Sequence, residues 1–188
     1  MKLSIAMAAR IAVAAVACAA AAVPVMALAS SGKPGAARVQ HGAVPSCTSS
    51  EITTWLGLGS GGGTLGTALY PIEFSNTGKA PCSLSGYPNV FAVSGRDVQL
   101  GLPGVGRGQR PLVVLRPGGT AHVVLGVIGA DKLSGCELRP GAFLEVIAPG
   151  QANATFIPSF TFTACANKGV LVVDGVHAGT GIPGNTAS

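Results

Sequence analysis

Apolar and polar residues alternate along short stretches of this chain. Within residues 68–76, large apolar side chains recur at every second position: Tyr70, Ile72 and Phe74. Other residues fill the positions between them: Pro71, Glu73 and Ser75. A period of two is typical of a β-strand with one buried face, and a proline on the polar face indicates a strand at the edge of its sheet.

A second alternating stretch covers residues 120–128. One face carries aliphatic residues only: Ala121, Val123, Leu125 and Val127. His122 falls on the opposite face with Val124 and Ile128. Residues 143–148 alternate in the same way, and further strands are predicted at 90–93, 98–102, 112–115, 160–163 and 170–173.

Glycine and proline separate these stretches. The 188 residues include 28 Gly and 13 Pro, too many for a helical bundle. Turns are predicted at 76–79, 94–97 and 116–119, each with a glycine that can adopt positive φ. Residues 48–58 are ambiguous: Thr48 and Glu51 would suit a capping box that opens a short helix, but the β-branched Ile52 and its neighbours favour a strand. The chain is therefore predicted to be an all-β sandwich or barrel.

Residues 1–29 have the layout of a secretory signal peptide. Lys2 and Arg10 give a positive start, an apolar run covers residues 11–23, and Ala27 and Ala29 supply the small residues that a signal peptidase reads. We expect cleavage between Ala29 and Ser30, and export of the mature protein.

Two alternatives compete with cleavage. The apolar run of residues 11–23 would serve as an uncleaved anchor, but it is shorter than the roughly 20 residues that span a bilayer. Cys18 would be lipidated in a lipoprotein, but Ala15 stands where a lipobox has a bulky aliphatic residue. We therefore expect no stable membrane insertion after signal cleavage.

Composition divides the remainder into three parts. Residues 30–46 are rich in small and turn-forming residues and are predicted to be a flexible lead-in. Residues 47–173 carry the predicted strands and form the β-sandwich domain. Residues 174–188 end in a glycine-rich sequence and are predicted to be a flexible tail. With 48% hydrophobic and 10% charged residues, the chain is not expected to be wholly disordered.

Four cysteines follow the leader: Cys47, Cys82, Cys136 and Cys165. An even number of cysteines in an exported chain indicates disulfides, because that compartment is oxidising. Four cysteines allow three pairings. We favour Cys47–Cys82 with Cys136–Cys165, because these pairs close loops of about 35 and 29 residues and hold the two halves separately.

Other roles for these cysteines are disfavoured. Structural zinc prefers Cys or His pairs that lie close along the chain, and no such pair occurs here, so no metal site is predicted. The absence of a C-x-x-C sequence argues against a thioredoxin-like redox role. The net charge of +5 comes with no basic stripe beyond scattered arginines, namely Arg96, Arg107, Arg110 and Arg116. Nucleic-acid binding is not expected.

Catalytic patterns are also weak. Residues 57–62 match G-x-G-x-x-G, but a strand and not a helix is predicted to follow, so a loop is favoured over a nucleotide site and no cofactor is predicted. No G-x-S-x-G elbow occurs. A triad would need His122 to meet a serine and one of three acids, namely Asp97, Asp131 or Asp174. We expect no catalytic residues.

Several blocks of the central region resemble a known family. They are Asn76-Thr77-Gly78, then Cys82-Ser83-Leu84-Ser85-Gly86-Tyr87-Pro88, and later Leu115-Arg116-Pro117-Gly118 followed by a strand led by Ala121. This arrangement, over roughly residues 47–165, resembles the domain of unknown function 4232 family of exported actinobacterial proteins. The resemblance implies an exported or lipid-anchored envelope protein with an immunoglobulin-like antiparallel β-sandwich, and it implies no reaction and no ligand.

We therefore expect a secreted bacterial protein that is not an enzyme. Its expected role is that of an interaction or structural module that meets an unidentified component of the cell envelope or surface. A small-ligand or carbohydrate-binding module is the first alternative, with Trp55, Tyr70 and Tyr87 as stacking residues. A secreted hydrolase is the second.

Overall fold

The structure is a computed structural model that describes residues 43–57, 63 and 66–182. The predicted signal peptide, its cleavage site at Ala29 and Ser30, and Cys18 lie outside the described residues. The described part contains fourteen β-strands and one short 3-10 helix, η1, at Ala130–Lys132.

The strands are short and follow one another closely along the chain. The first seven are β1 (Ile52–Leu56), β2 (Thr67–Asn76), β3 (Cys82–Ser85), β4 (Asn89–Val93), β5 (Gln99–Leu100), β6 (Val105–Gly106) and β7 (Leu112–Leu115). The others are β8 (Thr120–Ile128), β9 (Leu138–Gly141), β10 (Phe143–Ile147), β11 (Ala154–Ile157), β12 (Phe162–Cys165), β13 (Leu171–Val173) and β14 (His177–Ala178).

These strands form a large sheet, a small sheet and two ribbons. The large sheet has the order β1-β2-β8-β13-β6, and β14 also pairs with β8. The small sheet has the order β11-β10-β4-β5, while β3 pairs with β7 and β9 with β12. All pairs are antiparallel except β6 with β13. Strand β8 is the centre of the large sheet, since β2 pairs along one of its edges and β13 and β14 along the other.

One hydrophobic core lies between the large sheet and the other strands. The large sheet contributes the apolar faces that the alternation predicts, including Ile72, Phe74, Ala121, Val123 and Leu125. The small sheet and the β3–β7 ribbon supply the opposing layer, with Val90, Ala92, Leu144, Val146, Leu84 and Leu115. The all-β sandwich is confirmed.

Strand positions agree with the sequence over most of the chain, with two adjustments. The strand expected at 160–163 lies at Phe162–Cys165, and the one expected at 98–102 is reduced to Gln99–Leu100. The sequence did not single out β3, β6, β9, β11 and β14. These strands have two to four residues each, too few for a period of two to stand out.

Pro71 does not mark the edge of a sheet, as the sequence had indicated, because β2 lies between β1 and β8. Leu56 opposite Ile72 is the last pair of β1 and β2, and Gly57 N donates to Pro71 O just beyond it. The nitrogen of Pro71 therefore faces Gly57, just beyond the end of β1, so that its missing N–H affects only the last position of this ladder.

Of the ambiguous residues 48–58, those from Ile52 to Leu56 form strand β1 after a single turn, and Leu58 lies outside the described residues. Both Thr48 N–H and Thr48 Oγ1–H donate to Glu51 Oε2, at 2.9 and 2.8 Å, which lowers the pKa of Glu51. This is one half of a capping box, but β1 begins at the next residue, Ile52, where β-branched side chains favour the extended conformation.

The segment assigned to the tail is partly structured. Residues 177–178 form β14, in which His177 pairs with His122 and Ala178 with Ala121. Gly179 N then donates to Thr120 O. The β-structure thus extends past the boundary at 173, and only residues 183–188 of the predicted tail lie outside the described part.

Both favoured cysteine pairs are joined. Cys47 is linked to Cys82 on β3, and Cys136 to Cys165 at the end of β12, with Cα–Cα distances of 4.7 and 5.3 Å. These distances are within the usual range for disulfides. The first bond fastens the segment before β1 to the β3–β7 ribbon, and the second fastens the segment before β9 to its partner strand.

Asn76, at the end of β2, is fully buried and holds two turns together. Its Nδ2 donates to Leu115 O and Ala80 O, at 3.0 and 2.9 Å, and its Oδ1 accepts from Gly78 N at 2.8 Å. Its backbone bonds the turn between β7 and β8, because Asn76 N donates to Gly119 O and Gly118 N donates to Asn76 O. This residue therefore fixes where the β2 and β8 ladder ends.

Asn76→Ala is expected to lower the free energy of unfolding by about 3 kcal/mol or more, since it leaves buried backbone groups without partners. Urea denaturation measures the loss. Asn153→Ala is the control, because Asn153 is exposed and its side chain makes one bond, to Ser49 Oγ. A loss no larger than that of the control would contradict the structural role of Asn76.

Removal of the first disulfide with Cys47→Ala and Cys82→Ala is expected to cost about 3–4 kcal/mol by the chain-entropy model. The loop that it closes spans 35 residues. Denaturation of the double variant beside the oxidised wild type measures the effect. Four titratable thiols in the purified, unreduced protein would show that the bonds do not form.

Candidate functional site

Four side chains form a row across the outer face of the large sheet, which we call the outer row: Trp55, Glu73, His122 and His177. Strand pairing places Trp55 opposite Glu73, Glu73 opposite His122, and His122 opposite His177. Directly opposed residues on antiparallel strands point to the same face. Since the neighbouring positions of β2 and β8 face the core, this row faces away from it.

The two central members of the row are buried by the end of the described chain. Glu73 is 5% exposed and His122 is 3% exposed. Gly181 N donates to Glu73 Oε1 at 3.0 Å, and His122 Nδ1 lies 3.0 Å from Gly179 O. Because a carbonyl oxygen can only accept, His122 Nδ1 carries the proton of this bond. The segment after β14 therefore covers the centre of the row.

Gly57 makes room for the buried carboxylate. A Cβ added at Gly57 would collide with Glu73 Oε1 and would lie 2.9 Å from the ring of Pro71. The absence of a side chain at the end of β1 thus allows the Glu73 carboxylate to lean over that strand. A larger residue at position 57 would displace it.

A bulge places Asp174 beside this row. Val173 pairs with Leu125 and His177 with His122, so the strand that contains Asp174 has one residue more than β8 over the same span. Asp174 Oδ1 accepts from Val124 N, and Asp174 Oδ2 lies 3.4 Å from His177 Nε2. The side chain thus takes the place of a backbone acceptor where the ladder is interrupted.

Position 175 in this bulge must be a glycine, because another backbone segment passes close to it. A Cβ at this position would collide with Gln109 O. The chain can therefore pass the loop after β6 only where it carries no side chain.

Partial burial raises the pKa of the Asp174 carboxyl above its ordinary value, because water that would stabilise the charge is excluded. The hydrogen bond from Val124 N–H and the charges of His177 and His122 act in the opposite direction, with smaller effects. Asp174 is the acidic residue beside the two histidines on the β13 side of β8. On the β2 side, Glu73 is the acidic residue opposite His122.

A catalytic triad at His122 would need a hydroxyl bonded to its ring. His122 Nε2 has no hydrogen-bond partner among the described residues. The nearest hydroxyls in the next row, of Ser75 and Thr120, bond each other. Of the three acids considered for a triad, the structure brings Asp174 to the two histidines. Asp97 lies in the turn before β5, and Asp131 lies in η1.

The three aromatic residues proposed as a stacking platform lie in separate places. Trp55 belongs to the outer row and is 38% exposed. Tyr70 lies opposite Leu125, on the core side of the same sheet, and packs edge-on against Phe160 at 4.7 Å. Tyr87 packs over Gly106, and its hydroxyl donates to Gly108 O at 2.6 Å. These rings do not share one surface.

Next to the row, a groove follows strand β8. The groove has a volume of about 380 Å³ and is lined mainly by aliphatic residues, with Asp174 and Arg107 at one side. Its main lining residues are Leu69, Val124, Gly126, Ile128 and Val172. We call this feature the β8 groove. Asp174, which lies beside His177, therefore also lines the groove.

Sequence reasoning placed Glu73 and His122 on outward faces but did not bring them together. The signal that was available is the alternation itself, which put both residues opposite the core positions of their strands. What it lacked was the register between β2 and β8. In the part of the chain that the structure describes, no group of three metal-binding side chains is arranged to hold an ion. The region also includes no helix that is both long and apolar enough to span a bilayer.

The comparison with protein families matches residues 47–179 to the family described as Domain of unknown function (DUF4232). The chain belongs to this family. No curated protein and no solved structure shows significant similarity to it. The matched region contains both disulfides, Asn76 and all four residues of the outer row.

Asp174→Asn is expected to become more stable relative to wild type as the pH rises. The raised pKa means that the folded protein keeps this proton to higher pH than the unfolded chain, so ionisation lowers the free energy of unfolding as pH increases. The variant keeps an acceptor for Val124 N–H but never ionises. Urea denaturation between about pH 3.5 and pH 6 covers the range from the unfolded pKa upward and stays below the usual midpoint of histidine.

Asp131→Asn serves as the control with the opposite sign. The bond from Lys132, at 2.9 Å, lowers the pKa of Asp131, so the ionised form contributes stability that is lost as the pH falls. That variant should lose stability relative to wild type as the pH rises. Equal pH slopes for the two variants would contradict the assignment of Asp174.

Proposed function

We propose that the protein is a non-catalytic binding module of the extracytoplasmic compartment, and that it meets its ligand through the outer face of the large sheet. The observation that carries this proposal is the contrast between two neighbouring features of that face. The chain covers its own histidine and glutamate, whereas the β8 groove beside them remains open.

The cysteines support this compartment. Two disulfides in the folded domain indicate an oxidising environment outside the cytoplasm. The apolar leader that ends at Ala29 supports export by the secretory route. An exported module of this kind would act at the cell envelope. The family resemblance also supports a location at the cell envelope.

The arrangement around His122 supports a role other than catalysis. A general base must lie within hydrogen-bond reach of the proton that it takes, and the group must meet substrate. His122 Nδ1 is committed to Gly179 O, and its ring is almost fully buried. These contacts stabilise the strand β14 and its continuation, which is a structural use of the residue.

Turnover assays with chromogenic esters, glycosides and peptides test the non-catalytic part. The purified, oxidised protein is expected to give rates equal to those of the buffer and of the His122→Gln variant. Glutamine retains a polar side chain at this position but cannot act as a general base. Turnover that this substitution abolishes would overturn the proposal in favour of a hydrolase.

Photo-crosslinking in a bacterial host tests the binding face. A crosslinking amino acid at Val172, in the β8 groove, is expected to give products with envelope components. The same residue at Phe156, which is 56% exposed on the small sheet, is the control. Products from position 156 alone would place the binding face elsewhere.

A further inference from the structure

The β8 groove exists because the middle of a central strand carries no side chain. Gly126 lies between Leu69 on β2 and Val172 on β13 in one row of the sheet. Val124 and Ile128 continue the same face of β8 on either side. A missing side chain between two aliphatic walls leaves a depression that follows the strand for about 13 Å, from residue 124 to residue 128.

The glycine is not required by the backbone. A Cβ at Gly126 would lie 3.6 Å from Leu69 Cδ2, an ordinary contact, and 3.3 Å from Thr67 Cγ2, a tight contact that the methyl group of Thr67 can relieve by a small shift. Its φ is not in the left-handed region, which other glycines of the chain occupy. An alanine would therefore fit the strand after this small shift, and a larger side chain would extend into the groove.

The chemistry of the walls selects for an aliphatic ligand. The residues that line the β8 groove include no aromatic ring on which a sugar or a base would stack. Both edges of β8 are already paired, with β2 on one side and with β13 and β14 on the other. A peptide would find no free backbone groups there for strand addition. An alkyl chain needs neither feature and gains by burial alone.

Arg107 gives the groove a charged end. Its side chain is exposed and lines the groove, and no acidic group forms an ion pair with it among the described residues. Its backbone N donates to Val173 O, which fixes its position beside β13. The backbone of Arg107 is thus anchored beside β13, and its guanidinium, which lines the groove, is available for a bidentate bond with an anion.

Asp174 limits the charge of that anion. Its carboxylate lines the same groove, but its oxygens already meet Val124 N and His177 Nε2. A head group with two negative charges would be repelled by Asp174 more than a head group with one. One guanidinium and one carboxylate at the same end therefore favour a singly charged ligand.

We infer that the β8 groove binds a single-chain aliphatic carboxylate, with the alkyl chain over Gly126 and the carboxylate on Arg107. The inference deepens the proposed function and rests on it, since it names the ligand class of the same face. The volume of about 380 Å³ lies within the range of small-ligand sites.

Isothermal titration with decanoate, below its micellar concentration, tests the inference on the full oxidised domain. Decanoate is expected to bind more tightly than decanol, which lacks the charge, and more tightly than decyl phosphate, which carries more of it. Equal affinity for decanoate and decanol would show that Arg107 does not bind the carboxylate, and would overturn that part of the inference. Absence of decanoate binding would overturn the inference.

Two substitutions locate the ligand. Gly126→Val is expected to abolish decanoate binding, and Gly126→Ala to weaken it, so that the smaller change remains informative if valine impairs folding. Gly95→Ala is the matched control, because Gly95 lies in an exposed turn where the nearest atom to an added Cβ is 3.9 Å away. Binding that survives in both Gly126 variants would show that the ligand lies elsewhere.

Arg107→Gln is expected to weaken decanoate binding at least about tenfold and to leave decanol binding unchanged. Arg96→Gln makes the same change of charge at an exposed arginine outside the groove, and should leave both affinities unchanged. Equal losses in the two variants would overturn the assignment of the head group. Because turnover by wild type and His122→Gln is measured separately, failure to bind decanoate would leave the non-catalytic proposal standing.

Discussion

The register between β2 and β8 is the constraint on which the rest of the molecule depends. It is fixed at one end by Asn76, whose backbone and side chain join the turn after β2 to the turn before β8. Because side chains alternate along a strand, a slip by one residue would turn every core position of β2 toward water. The same register decides what meets on the other face, where Glu73 is set beside His122 and Leu69 beside Gly126.

The outer face of the large sheet has two parts, one that the chain itself covers and one that is open. The bulge before β14 adds one residue, which lets Asp174 act as an acceptor for β8 and carries the chain over His122. The buried Glu73 carboxylate and His122 Nδ1, which would be costly to bury without partners, are thus joined to backbone groups of the covering segment, whereas His122 Nε2 has no partner among the described residues. Where that cover ends, Gly126 of β8 leaves an aliphatic groove with Arg107 and Asp174 at one side, which is the ligand site that we propose.

Stability in a chain with few charges comes from apolar packing and covalent links. The exposed ion pairs of the described part, such as Lys132 with Asp131, contribute little, because water and salt screen them. The disulfides instead restrict the unfolded chain at two separate loops, and they fasten the segment before β1 to β3 and the segment before β9 to β12. This distribution suits a small β-protein in an oxidising compartment.

The sequence alone determined that the chain is a β-protein and which residues face its core, because a period of two and glycine-rich turns are local signals, as at Ile72 and Phe74. It also identified the cysteine pairs and the family resemblance. Only the tertiary structure decided which strands are neighbours, that Pro71 lies within the sheet, and that Glu73, His122 and Asp174 form one cluster. Strand pairing joins residues far apart in sequence, and neither the bulge nor the register leaves a trace in the local pattern.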